Sequence, residues 1–215
     1  MANTKTNPQS GVKKQEEQKS SAGNQTGKNG ESQGPLLQKF FIDMLKDIYW
    51  AEGHLVEKLK IMMDAATTDE LRDAFEDHYY ATQKHKSRLE KVFRSIGENA
   101  EAKKCEAMEG LTKEAETIIK ETIEGTMTRD AALIIAAQKI EHYEIATYGS
   151  LVQIARTLGY EDEAYILEQT LWEEEDTDML LTDIAESDIN PMADDEEDTG
   201  ENTGQEVTIS EPANI

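Results

Sequence analysis

Apolar residues recur three and four positions apart through most of residues 36–187, and no long stretch alternates apolar with polar residues. The first spacing is typical of an amphipathic helix, whereas alternation would indicate a β-strand. The pattern therefore predicts an all-α domain, with Gly97 and Gly159 as signals for two of the helix ends. The predicted helices cover residues 36–64, 69–96, 104–124, 128–158 and 161–187.

Four of these predicted helices are long, and the helix over 104–124 is shorter. Short turns connect the first long helix to the second and the third to the fourth, whereas the shorter helix lies within a longer connection. Two helical hairpins joined in this way are typical of a four-helix bundle with one long crossover. The sequence therefore predicts this bundle, with a shorter fifth helix inside the crossover.

The two ends of the chain differ in composition from the middle. Residues 1–34 are rich in Lys, Gln, Asn, Ser and Gly and contain no aromatic residue, and residues 188–215 contain an acidic run and no basic residue. Such segments bury too little apolar surface to offset the entropy lost on ordering. We therefore predict a disordered N-terminal arm over 1–34, a helical bundle over 35–187 and an acidic disordered tail over 188–215.

Each long helix interrupts its apolar stripe near the middle. The stretch KIEHYEIATYG at 139–149, for example, places Glu141 and Glu144 on the side that faces the core. Because the four long helices have similar lengths, their middle positions are expected to share one layer of the bundle. The residues predicted for this layer are Glu52, His78, Thr82, Glu141, Glu144, Glu174 and Asp178.

The carboxylates of this layer require compensation, because an unpaired buried charge costs several kcal/mol even after relaxation. No Lys or Arg falls at an inward middle position of the four stripes. Protons can compensate the carboxylates by raised pKa values. Oxygen-rich ligand sets with one or two imidazoles, projecting from facing helices, suit one or two ions of iron or manganese. The layer thus predicts a metal site, with a protonated or water-filled polar layer as the alternative.

The composition of the chain argues against nucleic acid and membranes as binding partners. The formal net charge of −23 and the pI of about 4.5 disfavour binding to the phosphates of nucleic acid. The longest apolar stretch is AALIIAA at 131–137. Roughly 18 apolar residues are needed to span a bilayer, so no membrane partner is expected. Cys105 is the single cysteine and no apolar leader is present, which favours a cytoplasmic location.

Several segments between residues 36 and 187 resemble a known family. These segments are AEGHL, FEDHYYAT, KKCEAMEGL, RDAALIIAAQKIEHYEIATYG and LEQTLWEEEDTDMLLTDIA. Through them the chain resembles the YciE/YciF-type stress proteins of the ferritin-like superfamily. The resemblance implies a rubrerythrin-like four-helix bundle, commonly a homodimer and induced under stress, with a carboxylate-rich dimetal site and no firmly assigned reaction.

By position, the resemblance implies metal ligands on all four long helices. His78 would be either a ligand or a hydrogen-bonding partner of a ligand, and Glu174 would act together with Glu175 or Asp178. The implied set is Glu52, His78, Glu141, Glu144, Glu174, Glu175 and Asp178.

The helix over 69–96 departs from the pattern of the relatives. Many of them have a Glu after the histidine in a segment HLEET, and ferritin-like sites more usually show Glu-x-x-His on this helix, whereas the segment HYYAT has Ala81 here. One carboxylate is therefore missing. Thr82, Gln83 or His85 would fill the gap, or the site would hold one ion or a pair completed by solvent. His85 is the less favoured ligand, because a lone histidine on a buried face is more often a hydrogen-bonded core residue.

Other reactive side chains receive structural interpretations. His54 lies on a flank of its helix and is predicted to pack there, and His142, one position off the inward stripe, is predicted to orient a neighbouring helix. Two adjacent lysines near a helix start are conditions that lower a thiol pKa, but Cys105 is interpreted as structural. Tyr148 is interpreted as packing, with donation of electrons or hydrogen bonds as the alternative.

Three functions agree with these features. The first is a dimetal oxidoreductase that reacts Fe(II) with peroxide or oxygen, without an identifiable catalytic side chain. The second is a metal-binding protein without turnover. The third is a structural module in which the polar layer determines helix register and dimerisation.

Overall fold

The computed structural model describes residues 35–197, so the disorder predicted over 1–34 and 198–215 lies outside the described residues. The described part contains helices and no β-strand, which confirms the all-α prediction. None of its helices combines the length and the apolarity needed to cross a bilayer. The helices are α1 (Leu36–Ala65), α2 (Asp69–Ser95), α3 (Glu106–Glu121), α4 (Met127–Leu158), α5 (Glu161–Ile184) and α6 (Asn190–Asp194), with a π-helical turn (Ala185–Ile189) between the last two.

The four long helices close into a ring. Helix α1 packs against α2 and α4, and α5 also packs against α2 and α4, so α2 and α4 are diagonal to each other. Short turns join α1 to α2 and α4 to α5, whereas the connection from α2 to α4 contains α3, which lies against α1 and α4. This arrangement is the predicted four-helix bundle with a crossover.

Hydrogen bonds at both ends of the bundle set the relative direction of the helices. Near the start of α4, Asp130 accepts hydrogen bonds from the backbone N–H groups of Thr67, at 2.7 Å, and Thr68, at 2.8 Å, in the turn between α1 and α2. At the opposite end, the side-chain amide of Gln38 donates to the hydroxyl of Tyr160, which precedes α5, at 2.8 Å. Helices α2 and α4 therefore run in the same direction, and the middle positions of all four long helices lie at one level.

The helical chain continues past the predicted boundary at residue 187. Ile189 in the π-helical turn is buried, whereas Asp188 is exposed. A π turn contains one more residue than an α turn, and this additional residue rotates Ile189 onto the inner face in place of Asp188. The predicted start of the tail at 188 is therefore too early. The prediction relied on the acidic composition of the segment and overlooked Ile189, which packs on the bundle.

The apolar core fills both ends of the bundle. Phe41 and Phe93 are buried near the turn between α4 and α5, and Met62 and Phe75 are buried near the turn between α1 and α2. Between these two apolar regions lies the polar layer that the sequence predicts.

Candidate metal centre

Four glutamates and two histidines occupy the middle layer, and all are almost fully removed from solvent. No residue of the six is more than 3% exposed. Every long helix contributes at least one of them. The six residues, named here the midspan layer, are Glu52 from α1, His78 and His85 from α2, Glu141 and Glu144 from α4, and Glu174 from α5.

The ligand-type atoms of the midspan layer form two groups that share Glu174. Within each group, one nitrogen or oxygen atom per residue lies within 4.8 Å of the corresponding atom of every other residue. Small side-chain movements would bring such atoms around a single ion. The first group is His78, Glu141, Glu144 and Glu174, and the second is Glu52, His85 and Glu174.

The layer also concentrates buried polar atoms that have no hydrogen-bond partner. In folded proteins, the large majority of buried polar side-chain atoms are hydrogen-bonded, so each exception requires a physical explanation. Here the exceptions meet at one level of the bundle, which indicates that either metal ions or protons compensate this layer. The unpartnered atoms are Oε2 of Glu52, Nε2 of His78, Nδ1 of His85, Oε2 of Glu141 and both carboxylate oxygens of Glu144 and of Glu174.

The orientation of His85 depends on Glu173. Nε2 of His85 lies 2.8 Å from Oε2 of Glu173, and the guanidinium of Arg88 holds the same carboxylate at 2.6 and 2.7 Å. The hydrogen bond from Arg88 holds the pKa of Glu173 well below its ordinary value. Because the carboxylate accepts the Nε2–H of His85, Nδ1 is free to bind a metal, and it lies 2.9 Å from Oε1 of Glu174 and 3.8 Å from Oε2 of Glu52. Metal-binding histidines are commonly oriented by such a carboxylate.

His78 is oriented by Thr177. Nδ1 of His78 lies 3.4 Å from the hydroxyl oxygen of Thr177, and that hydroxyl donates its own hydrogen to the carbonyl oxygen of Glu173 at 2.9 Å. The hydroxyl oxygen therefore accepts from Nδ1–H. This contact leaves Nε2 of His78 unprotonated, 3.4 Å from Oε1 of Glu141. His78 thus presents a lone pair to the midspan layer, and His85 presents one once its Nδ1 proton is removed.

Tyr148 fixes one oxygen of Glu52. Its side chain is fully buried, and its hydroxyl donates to Oε1 of Glu52. Burial raises the pKa of Tyr148 well above its ordinary value, so the phenol stays protonated and remains a donor. Of the two interpretations offered by the sequence, the hydrogen-bonding role is observed together with packing.

Burial favours the protonated form of the carboxylates in this layer. It raises the pKa of Glu52 to about 8, and burial together with the charge of Glu174 raises the pKa values of Glu141 and Glu144 well above 4.5. Burial alone would lower the pKa of His85, but the carboxylates of Glu174 and Glu52 raise it to about 10. Protons therefore compensate the layer in the absence of metal, and a metal ion must displace them.

Two residues implied as partners of Glu174 lie outside both groups. Glu175 is exposed on α5. Asp178 is half-buried and turns towards α4, where its Oδ2 lies 3.2 Å from Nε2 of His142 and its Oδ1 accepts a hydrogen bond from Gln138 at 3.3 Å. Asp178 thus marks the outer edge of the layer, between the buried carboxylates and solvent.

The departure at Ala81 is resolved by another residue of α2. Thr82 is buried in the layer, but its hydroxyl donates to the carbonyl oxygen of His78 at 2.8 Å, and Gln83 is exposed. His85, the less favoured candidate, is the residue of these three whose ring faces other candidate ligands. The layer therefore contains four carboxylates and two imidazoles, the same number as in known dimetal carboxylate bundles.

Sequence reasoning did not identify Glu173 and Thr177 as functional residues. Their contacts run between helices, to His85 and His78 on α2. Both lie within four residues of Glu174 on α5, and this proximity was the available signal.

Two further reactive side chains, Cys105 and His54, make packing and hydrogen-bonding contacts. Burial raises the pKa of Cys105, whose sulfur lies 3.0 Å from the hydroxyl of Tyr143 and accepts a hydrogen bond from the backbone N–H of Met108, so the adjacent lysines do not activate the thiol. The ring of His54 stacks on Trp50, with 4.6 Å between the ring centroids, as the packing interpretation predicts.

Several known proteins are similar to this chain in sequence and in fold. The family model described as a domain of unknown function (DUF892) matches residues 36–194. The chain belongs to the DUF892 family. It is 43% identical over 159 residues to the protein YciF of Escherichia coli K12, an alignment that covers 73% of this chain and 95% of YciF. The resemblance inferred from the sequence segments is thereby confirmed.

Three solved structures extend this comparison of the DUF892 chain. The crystal structure of the E. coli stress protein YciF matches with a TM-score of 0.68 and 42% identity, covering 72% of this chain and 97% of that one. YcfI of Rhodopseudomonas palustris, for which a structural role has been suggested, has a TM-score of 0.68 and 33% identity, covering 72% and 98%. A Xanthomonas campestris protein, at 20% identity and a TM-score of 0.58 over 74% and 97%, supports the fold alone.

Proposed function

We propose that this DUF892 protein binds two divalent ions of iron or manganese in the midspan layer and uses them in redox chemistry with peroxide or oxygen under stress. The observation that supports the proposal is the set of buried, unpartnered ligand atoms at one level of the bundle. When ionised, the four carboxylates carry four negative charges, which equals the positive charge of two divalent ions. Carboxylate and imidazole ligands also suit these metals.

The residues of this chain have distinct roles in the proposal. Glu174 belongs to both ligand groups and would hold both ions. Tyr148 positions Glu52, while Glu173 and Thr177 fix the two imidazole rings. When bound, a pair of iron ions supplies the electron transfer that reduction of peroxide or oxygen requires. The layer is buried between two apolar regions, and this enclosure favours small oxidants such as peroxide or oxygen over larger substrates.

The test is an anaerobic Fe(II) titration of protein prepared without chelators or a metal-affinity tag, followed by addition of peroxide. We expect about two equivalents of iron per chain and consumption of peroxide. The variant Glu174→Gln should bind markedly less iron, because it alters the residue shared by both groups. The matched control is Glu175→Gln, which changes the exposed neighbour in the chain and should bind like the wild type.

A protein that binds no iron or manganese, and whose folding a chelator does not affect, would contradict the proposal. The midspan layer would then be compensated by protons and water. About one equivalent would instead indicate that a single ligand group is functional.

The enclosure of the layer favours a second candidate, metal binding without turnover. No residue of the midspan layer is more than 3% exposed, which suits retention of an ion more than rapid exchange of substrates. Tight metal uptake without peroxide consumption would support this candidate. If the double variant Glu144→Gln, Glu174→Gln kept its function in cells, the purely structural role suggested for YcfI would be favoured.

The homodimer implied by the family resemblance remains a prediction. The molecular mass from light scattering can check it.

A further inference from the structure

Ions that reach the midspan layer from solvent must pass between helices. Helix α5 packs against α2 on one side and α4 on the other, which gives two seams beside Glu174. Each seam carries a partly exposed carboxylate next to the layer. Glu173, at the α2–α5 seam, has a side-chain exposure of 39%, and Asp178, at the α4–α5 seam, has one of 21%.

The α2–α5 seam is unfavourable for a cation. Both oxygens of Glu173 accept hydrogen bonds from the guanidinium of Arg88, and one of them also faces Nε2 of His85. A guanidinium keeps its positive charge at all physiological pH values and would repel a divalent ion. The carboxylate of Glu173 is therefore both occupied and shielded.

The α4–α5 seam is more favourable for a cation than the α2–α5 seam. Asp178 makes no ion pair with Lys or Arg within residues 35–197, and its only basic partner there is His142, whose side chain is 70% exposed. Gln138 holds the carboxylate in place through its amide. The ammonium of Lys139, three residues before His142 on α4, is paired with Glu114.

The residues of the Asp178 seam are also neighbours of two candidate ligands along their helices. Asp178 follows Glu174 by one turn of α5, and side chains four residues apart on a helix are neighbours. His142 follows Glu141 on α4. Glu141 also has a buried oxygen without a partner.

We propose that Asp178 and His142 form a surface site that captures a divalent metal ion and passes it to Glu141 and Glu174. This inference rests on the proposed function, because it requires ions to occupy the midspan layer. One carboxylate and one imidazole, largely open to solvent, make a weak site from which an ion can move inward. Rotation of a partly exposed side chain is fast, so a change of the Asp178 rotamer does not limit the transfer.

The experiment measures the rate of Co(II) uptake by the full-length metal-free protein, using the visible absorption of bound cobalt in a stopped-flow instrument. The variants Asp178→Asn and His142→Gln should each load about tenfold more slowly than the wild type, because local charge and ligands steer the ion. Their final cobalt content should equal that of the wild type. The matched control is Asp176→Asn, which removes the same charge from an exposed position on α5 and should load at the wild-type rate.

Three results would overturn the inference. If Asp178→Asn and His142→Gln load as fast as Asp176→Asn, the transfer role is wrong although the buried site stands. If either variant reaches a lower final cobalt content, the altered residue is a permanent ligand and not a transfer residue. If the wild type binds no Co(II) at all, the proposed function and this inference both fail. His142 is exposed, so its variant is testable even where Asp178→Asn impairs folding.

Discussion

At the residue scale, Glu174 and Glu175 are adjacent in the chain and chemically identical, yet their environments are opposite. Glu174 is fully buried and belongs to both ligand groups, whereas Glu175 is exposed. The two histidines show a similar dependence on their neighbours. Glu173 and Thr177 determine which nitrogen of His85 and His78 faces the midspan layer.

The role of Glu173 leads to a first prediction. Replacement by Ala removes the acceptor of His85 and leaves the charge of Arg88 unpaired beside the layer, so metal affinity should fall about 10- to 100-fold. Competition titration with a chelator measures this change. The control is Glu168→Ala on the same helix as Glu173, which removes an ion pair with Arg156 of α4 without touching the layer. Equal affinities for the two variants would contradict the orienting role.

A second prediction concerns Cys105. Burial raises the pKa of this thiol and leaves the residue only 2% exposed. The native thiol should therefore react with a disulfide reagent more than about tenfold more slowly than the same thiol in denaturant. Its reactivity should increase only at a pH above the ordinary thiol value of 9.0. Reaction rates measured from neutral to alkaline pH test this, and a native rate like that of a free cysteine would show an activated thiol instead.

At the scale of elements, the end of α5 shows how a local irregularity extends the fold. An uninterrupted α-helix would turn Asp188 inward, whereas the π-helical turn places Ile189 there. Both the turn and α6 pack on α4. The packed domain therefore reaches beyond residue 187, in agreement with the family match that extends to residue 194.

A third prediction follows from this packing. The variant Ile189→Ala should lower the free energy of unfolding by about 2–5 kcal/mol, because it removes a buried side chain and leaves a cavity. Chemical denaturation provides the measurement. Met192→Ala serves as the control, since Met192 on α6 is 48% exposed. Truncation of this exposed side chain should change the free energy of unfolding by less than about 0.5 kcal/mol. If both variants were equally stable, residue 189 would lie outside the packed domain.

At the scale of the whole molecule, protons occupy the buried atoms that the proposed metal ions would bind. The folded protein holds protons more tightly than the unfolded chain at Glu52, whose pKa rises from 4.5 to about 8 on burial. The same holds for His85. Burial would lower its pKa, but the carboxylates of Glu174 and Glu52 raise it from 6.5 to about 10. His78, whose pKa burial lowers, acts in the opposite direction. Stability from a raised pKa is present at low pH and is lost as the pH passes through the folded-state value.

A fourth prediction follows from this dependence of stability on pH. The metal-free protein should become less stable between about pH 5 and about pH 10, as Glu52 and His85 lose their protons. Metal binding replaces those protons, so the difference in Tm between metal-loaded and metal-free protein should increase over the same range. Thermal unfolding at several pH values, with and without Mn(II), gives both curves. Parallel curves would mean that the added metal does not bind to the titrating layer.

Periodicity along the chain was sufficient to predict the long helices, their inward faces and the position of the polar layer. Helix spacing is a local property, and the predicted ends of α1 and α2 differ from the observed ones by one residue. The cost of burying Glu52, Glu141, Glu144 and Glu174 together also follows from the sequence, because all four fall on inward stripes.

Tertiary structure decided which atoms face each other. A helical stripe covers a wide angle, so the sequence could not tell that Asp178 turns towards His142 while His85 turns into the layer. The roles of Glu173 and Thr177 depend on contacts between α5 and α2, and the burial of Ile189 depends on a π turn without a clear sequence signal. The sequence by itself therefore determined the bundle and the level of its polar layer. Packing between helices decided the individual ligand atoms, because side-chain direction depends on neighbours that are distant in the chain.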